Sequence, residues 1–500
     1  MAKKIIMDRA TERLFKILSV GYITIVAFET MAVTTAMPTI AKDLDGQNLY
    51  ALAMGVVLAT QLMTTAIAGP WSDTKGPHSC LYTGVSLITI ALTLCTLAPN
   101  MHIFVIGRAI EGLGAGLTLV PLYTMVGNTV EPERQPSFFT AFAAAWVLPS
   151  LFGPVLAGFI VEHFSWRLVF AIAPILTVIV LPIFIRGMQS VPDIEREHAK
   201  LRLGRTAAPS CLAGIGIATL QVVSGTESGA FTWTVFVTIA IATATTFVFV
   251  TPLLPGGTFL ARRGLPSTVL TRMFINGAFV SIEMFLPLQL QEVHGWSPTE
   301  AGLILSVGSI TWAVGSWISG RVRDHEKRAQ LPFLGTAIGF VGLLAVVIGC
   351  LESVSGLVVI AGWFVTGLGI GAAYPALTVH ALAISSLENQ GRASSSLQIA
   401  DTMGGALGAA IIGIVYSLIS PPISTGLFVG FAIMAACVAL SIFTARRVQP
   451  REGSNAATRF ENADSDPQTE APRVPFLDRH ANERRAARFR DRLRRREPRR

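Results

Sequence analysis

Of 500 residues, 51% are apolar and only 14% charged, with a mean hydropathy of +0.56 and a net charge of +8. Soluble domains carry about a quarter charged residues, so a soluble globular fold is excluded. Apolar runs of about 20 residues recur, each long enough to cross a ~30 Å hydrocarbon core as a helix, and the short alternating segments of a membrane barrel are missing.

The fold class is therefore all-α and integral to a membrane. A charged arm, residues 1–16, leads into a full-length run and reads as cytoplasmic rather than as a cleaved signal. Helical spans are predicted over 17–40, 50–71, 80–98, 102–125, 138–160 and 168–186. A charged linker at 187–206 follows, then spans at 207–225 and 231–254. The last six cover 268–291, 300–320, 331–351, 355–383, 393–418 and 423–445, which makes fourteen in all. Residues 448–500 form a polar tail with 14 Lys/Arg against 9 Asp/Glu, and the tail reads as disordered. Its last 24 residues hold eleven arginines, suited to anionic lipid of the inner leaflet or to a solvated topogenic tail. Because most of the basic excess sits in this one tail, nucleic acid is not an expected partner.

Lys and Arg test the span count, since cytoplasmic loops concentrate them. With the N-terminus inside, the inside segments before the tail hold twenty, among them Lys75, Arg134, Arg262, Arg272, Arg321 and Arg392. The outside loops hold two, Lys42 and Arg167. A missed or extra span would scramble that asymmetry, so both termini are placed in the cytoplasm of a multi-pass protein of the cell membrane.

Internal similarity sets the architecture. Gly69 to Asp73 after the second span and Gly320 to Asp324 after the tenth share a spacing, offset by 251. "GLGAGLTLVP" (112–121) echoes "GLGIGAAYP" (367–375) at an offset of 255, and Gly153 lines up with Gly404 at 251. Spans 1–6 (17–186) and 9–14 (268–445) are thus two parallel six-helix halves, with spans 7 and 8 (207–254) inserted between them. Parallel halves about an axis along the membrane normal put a binding site near midplane, between them.

These residues resemble the major facilitator superfamily, specifically its fourteen-helix drug:proton antiporter branch, from about residue 17 to 445. The first span carries an acid followed nine residues later by proline, as Glu29, Ala36 and Pro38. The loop after span two carries Gly-x-x-x-Asp-x-x-Gly as Gly69, Asp73 and Gly76, although Thr74, Lys75, Pro77 and His78 replace most of the basic residues around it. Span four has Arg108, Gly112 and Gly114. Span five keeps Gly153, Pro154 and Gly158 of the antiporter motif, with Ala157, Thr140 and Pro149 in place of three glycines. The resemblance implies alternating access, with these motifs serving gating and the first-span acid linked to proton coupling.

Read as chemistry, Glu29 is the first candidate. An ionised acid at a helix centre costs roughly 3 kcal/mol, and a carboxyl protonated when occluded but ionised when wet carries a proton. Arg108 has Glu111 at i+3 on the same face and, near Glu29, would tune it; the alternative is a static buried ion pair. Glu283 and Asp401 are the other intramembrane acids and, with Glu111, candidates for substrate contact or a second proton; Glu29, Glu283 and Asp401 together would line a cavity that attracts lipophilic cations. Trp146 or Trp363 would add cation–π contacts if they face inward.

The five cysteines are scattered without metal-ligand spacing, and no P-loop, zinc or nucleophile–base motif appears. An enzyme, a cofactor and a metal are therefore not expected. Energy must come from an ion gradient or from the substrate's own. The expected function is proton-coupled efflux of amphipathic, cationic organic compounds, with the monomer as default. The alternatives are an uptake symporter or exporter of a metabolite, amino acid or lipid, and a non-transporting receptor or scaffold.

Overall fold

The computed structural model describes residues 7–131, 134–189, 191, 207–225, 232–322, 325–385, 390–419 and 421–449. Most of the predicted linker and the tail beyond Gln449 lie outside these residues. The described chain forms fifteen α-helices: α1 Arg9–Asp43, α2 Tyr50–Lys75, α3 Pro77–Thr96, α4 Met101–Gly116, α5 Leu119–Thr129, α6 Gln135–His163, α7 Trp166–Gln189, α8 Ala207–Val223, α9 Trp233–Val250, α10 Leu265–Glu292, α11 Pro298–Arg321, α12 His325–Ile348, α13 Gly356–Ile384, α14 Gln390–Ile419 and α15 Ile423–Ala445.

Twelve spans among the described residues are long and apolar enough to cross a membrane, counting Met101–Thr129 as one. α7 is a bent pair, Trp166–Ile179 and Pro182–Gln189 at 50°, and α8 is a shorter apolar helix. The bend falls where Pro182 removes a backbone donor. The predicted run 102–125 is also two helices, α4 and α5, broken at Leu117–Thr118. Pro121 has no N–H to offer the Leu117 carbonyl, which takes the Cys80 thiol at 3.6 Å instead. By contrast, α6 stays one helix through Pro149 and Pro154.

Local signals set several ends. Asp8 caps α1 and Asn100 caps α4, accepting from the Ile103 N–H at 3.0 Å. Ser297 and Glu300 form a reciprocal capping box on α11. Between α2 and α3, Gly76 turns the chain at φ 87°, a left-handed conformation that favours glycine.

One group of helices packs α1 on α6 and α7, α3 on α4 and α7, and α2 on α4; a second packs α11 and α12 on α13, and α10 on α14 and α15. They meet through α2 with α14, α6 with α11 and α1 with α10. The hydrogen bonds joining them, Tyr50 Oη to the Met284 carbonyl at 2.7 Å and Thr299 Oγ1 to Glu162 at 2.5 Å, lie at the end of the bundle away from the N-terminal arm. This is the far end of the bundle.

The glycine contacts repeat between the groups. A Cβ on Gly112 would strike Thr60 and the Val57 carbonyl; one on Gly367 would strike Thr311 and the Gly308 carbonyl. Gly114 presses on Gly84 and Ile88 as Gly369 presses on Gly335 and Gly339, and Gly116 on Gln61 as Gly371 on Trp312. The partners are offset by 251 and the glycines by 255 throughout. The same close helix crossings are built twice, and small residues permit them. Gly112→Val and Gly367→Val are each expected to destabilise the protein by about 1–3 kcal/mol through overpacking. Gly127→Ala, which adds a methyl to open space, should leave the melting temperature in detergent unchanged or slightly higher.

Candidate functional site

Among the described residues, two buried ionic clusters lie inside the bundle. In the first, Glu29 from α1 meets Arg108 and Glu111 from α4. Arg108 Nη1 donates to Glu29 Oε1 at 3.1 Å and to Glu111 Oε2 at 2.5 Å. Its Nε reaches the Ala53 carbonyl of α2 at 3.4 Å. None of the three side chains is more than 6% exposed. Glu111 sits one turn beyond Arg108, which puts both on one face of α4. Two carboxyls share one guanidinium here, so the cluster carries a surplus negative charge when both are ionised and is neutral with one proton bound.

The second cluster was only half visible in the sequence. Asp401 from α14 receives Arg272 Nε at 2.9 and 3.1 Å and Nη2 at 2.7 Å. Tyr374 Oη donates to Asp401 Oδ2 at 2.7 Å, and Arg272 Nη1 reaches Thr378 Oγ1 at 2.5 Å. The guanidinium also lies 3.8 Å from the Tyr374 ring centroid. Arg272, counted above among cytoplasmic loop cations, is instead a buried residue of α10. Asn276, at i+4 on the same face, also reaches the Asp401 carbonyl with its amide at 3.4 Å.

Glu283 stands apart. It is half-buried on α10 and takes no hydrogen bond or ion pair among the described residues. The spacing of Arg272, Asn276, Phe279 and Glu283 puts all four on one face of that helix. Phe279, one turn from Glu283, stacks on Trp363 at 4.5 Å and meets Trp312 edge-on at 4.8 Å. Trp363 is fully buried in this stack, so it offers no free inward face; Trp312 and Trp146 are half-buried. The three acids grouped in the sequence reading therefore occupy different settings: Glu29 in a triad, Asp401 in a tight pair, Glu283 without a counter-ion.

The motif residues sit at helix junctions and seams. Gly76 makes the α2–α3 turn, and Gly69 has open space around it. Gly153 lies in ordinary contact with Phe28 and Met31 of α1. A Cβ on Gly158 would come within 2.7 Å of the Thr299 Cα of α11, and one on Gly302 would strike the Pro154 carbonyl. Asp73 falls within α2, but its side chain lies outside the described set.

Comparison with known proteins bears on the whole bundle. The family model of the Major Facilitator Superfamily matches residues 19–355 and 284–496. The multidrug transporter protein MdtP of Bacillus subtilis (strain 168) is 26% identical over 404 residues, 78% of this chain and 72% of its own. The probable multidrug-efflux transporter Rv1634 of Mycobacterium tuberculosis (strain ATCC 25618 / H37Rv) is 22% identical over 452 residues, 85% and 93% of the two chains. Among solved structures, a peptide transporter POT in complex with sulfate superposes with a TM-score of 0.62 at 15% identity, covering 89% of this chain and 97% of its own. A D-xylose-proton symporter gives 0.62 at 13% identity, over 87% and 98%. At such identities the solved structures speak to the fold alone. Matched from residue 19 to 496, this multi-pass chain belongs to the Major Facilitator Superfamily and is a membrane transporter, not an enzyme.

Proposed function

We propose that this transporter exports amphipathic organic cations across the cell membrane in exchange for protons. The observation that carries the reading is the Glu29–Arg108–Glu111 triad, two carboxyls on one guanidinium. Charge balance in a dry site favours one bound proton, and exposure to water releases it. Because Glu29 belongs to α1 while Arg108 and Glu111 belong to α4, helix motion changes the pairing and with it the proton's affinity. The printed names of MdtP and Rv1634 support a drug-like cargo.

In this reading the chain crosses the membrane fourteen times, with α7 and α8 each counted as one crossing and both termini in the cytoplasm. The halves 17–186 and 268–445 rock about a central site, with the pair 207–254 set between them. Gly69, Asp73 and Gly76 act at the cytoplasmic end, and the Gly153, Pro154 and Gly158 surface is the seam of α6 on α11. The arginine-rich tail meets anionic lipid.

Cargo engages Glu283 rather than Asp401. Arg272 already neutralises Asp401, whereas Glu283 has no counter-ion among the described residues and lies one turn from the Phe279–Trp312 pair. A lipophilic cation supplies the missing charge and an apolar body for those rings. Glu283→Gln is expected to lower cation-driven proton release about tenfold, the worth of roughly 1.4 kcal/mol of charge pairing, and to spare neutral cargo. Equal loss for both classes would remove Glu283 from the site.

The reading is tested in energised inside-out vesicles with an acid interior, given lipophilic cations and neutral compounds in turn. Collapse of the pH gradient by a compound supports export in exchange for protons. A gradient indifferent to every compound would put uptake, or transport of a metabolite, ahead.

A further inference from the structure

The hairpin α8–α9 touches both helical groups, but in different ways. Its contacts with α2 and the turn before it run from Gly214 to Gly225. A Cβ on Gly214 would lie 2.9 Å from the Ala59 carbonyl, Gly55 sits against the Gln221 amide, and Gly225 rests on Leu49 and Asn48. Its hydrogen bonds with α14 come from the last turn of α8 and the residue just after it. Gln221 Nε2 donates to the Ala406 carbonyl at 3.1 Å, the Ser417 hydroxyl donates to the Ser224 carbonyl, and Leu220 packs on Ala410. Gly413 of α14 leaves room for Ser224, with an added Cβ only 2.9 Å from the Ser224 Cβ. Gln221 and Ser224 are fully buried, and among the described residues Gln221 Oε1 has no hydrogen-bond partner.

We infer that the hairpin is carried by α2, and that Gln221 and Ser224 are positioning residues forming a releasable clasp on α14 that holds the far end closed. The α2 face is a backbone-close groove of small residues, which separates only with loss of packing along that stretch. The α14 face pairs two hydrogen bonds with a small apolar cluster of Leu220, Ala242 and Ala410. Its hydrogen bonds exchange for water when the seam opens, so breaking them costs little net free energy. The orphan Oε1 marks the clasp as incompletely satisfied, which suits a contact made and broken in each cycle. The inference rests on the alternating-access reading, in which α2 and α14 part at the far end.

The test uses the full-length chain in proteoliposomes with the half-buried Cys211 and Cys437 changed to serine; Cys80, Cys95 and Cys350 are buried. Ser224→Cys reports the clasp. Ala59→Cys, fully buried and on the face of α2 that carries Gly55 and Met63 against α8, reports the α2 groove. A membrane-impermeant maleimide is applied with acid or alkaline exterior, with and without tetraphenylphosphonium, and total thiol is measured after denaturation. Labelling of the Ser224→Cys variant should rise about tenfold or more in the condition that opens the far end, a shift within the range of local opening equilibria. The Ala59→Cys variant should stay protected. Labelling of both would mean that the hairpin leaves α2, and protection of both under every condition would mean that the clasp does not open; either overturns the inference. Because labelling reads motion and not flux, a responsive Ser224→Cys variant in a chain that never collapses a pH gradient would leave the clasp standing and sink proton-coupled export.

Discussion

Glu29→Gln is expected to uncouple the transporter: cargo-driven proton release from acid-loaded vesicles should fall to background, a drop of about tenfold or more. Glutamine keeps the shape and can still accept from Arg108, but it has no proton to exchange. The fold should survive, because Arg108 is left facing Glu111 alone, one charge against one. Little change in melting temperature is therefore expected, which separates loss of coupling from loss of structure. Glu29→Asp, which keeps a titratable group, should retain part of the activity. If the glutamine variant collapses the gradient as the parent does, Glu29 is structural and the proton carrier is to be sought at Asp401 or Glu283.

Much of the fold was legible because the bilayer imposes one rule on every span. Backbone groups must be satisfied within the helix, so long apolar runs can only be helices. The repeat was legible for a different reason. Close helix crossings demand glycine at fixed positions, and Gly112, Gly114 and Gly116 recur as Gly367, Gly369 and Gly371 because both groups build the same crossings. Within the first cluster, Arg108 and Glu111 could be paired from spacing on one helix. Their approach to Glu29 joins two helices, and only the need of a buried acid for a cation hinted at it.

What stayed hidden were contacts between distant helices with no spacing rule behind them. Arg272 begins two turns inside α10, where a cation near a helix end reads as a topogenic charge; burial against Asp401, 129 positions away, is set by how α10 packs on α14. Tyr374 lay in a quoted glycine motif, yet its hydroxyl role appears only once α13 is placed beside both. The break between α4 and α5 was missed because hydropathy runs straight across Leu117 and Thr118, while Pro121 acts on the carbonyl four residues back.

The largest stability effect is expected at Arg108. Arg108→Met keeps an extended apolar stem of similar reach but strips Glu29 and Glu111 of their shared cation, and leaves the Ala53 carbonyl without its donor. Breaking a buried ion pair from one side costs about 3–5 kcal/mol, because the remaining charge stays buried and uncompensated. The melting temperature in detergent should drop accordingly. The triple variant Arg108→Met, Glu29→Gln, Glu111→Gln removes the orphaned charges, and should recover most of the lost stability, since replacing a whole buried ionic group by neutral residues is often near neutral. It should not recover transport, because nothing remains to hold the proton. Recovery of both would mean that the cluster serves only to orient α1 on α4. An Arg108→Met chain as stable as the parent would mean that both carboxyls are already neutral in the folded protein, and the surplus charge on which proton exchange is argued would be absent.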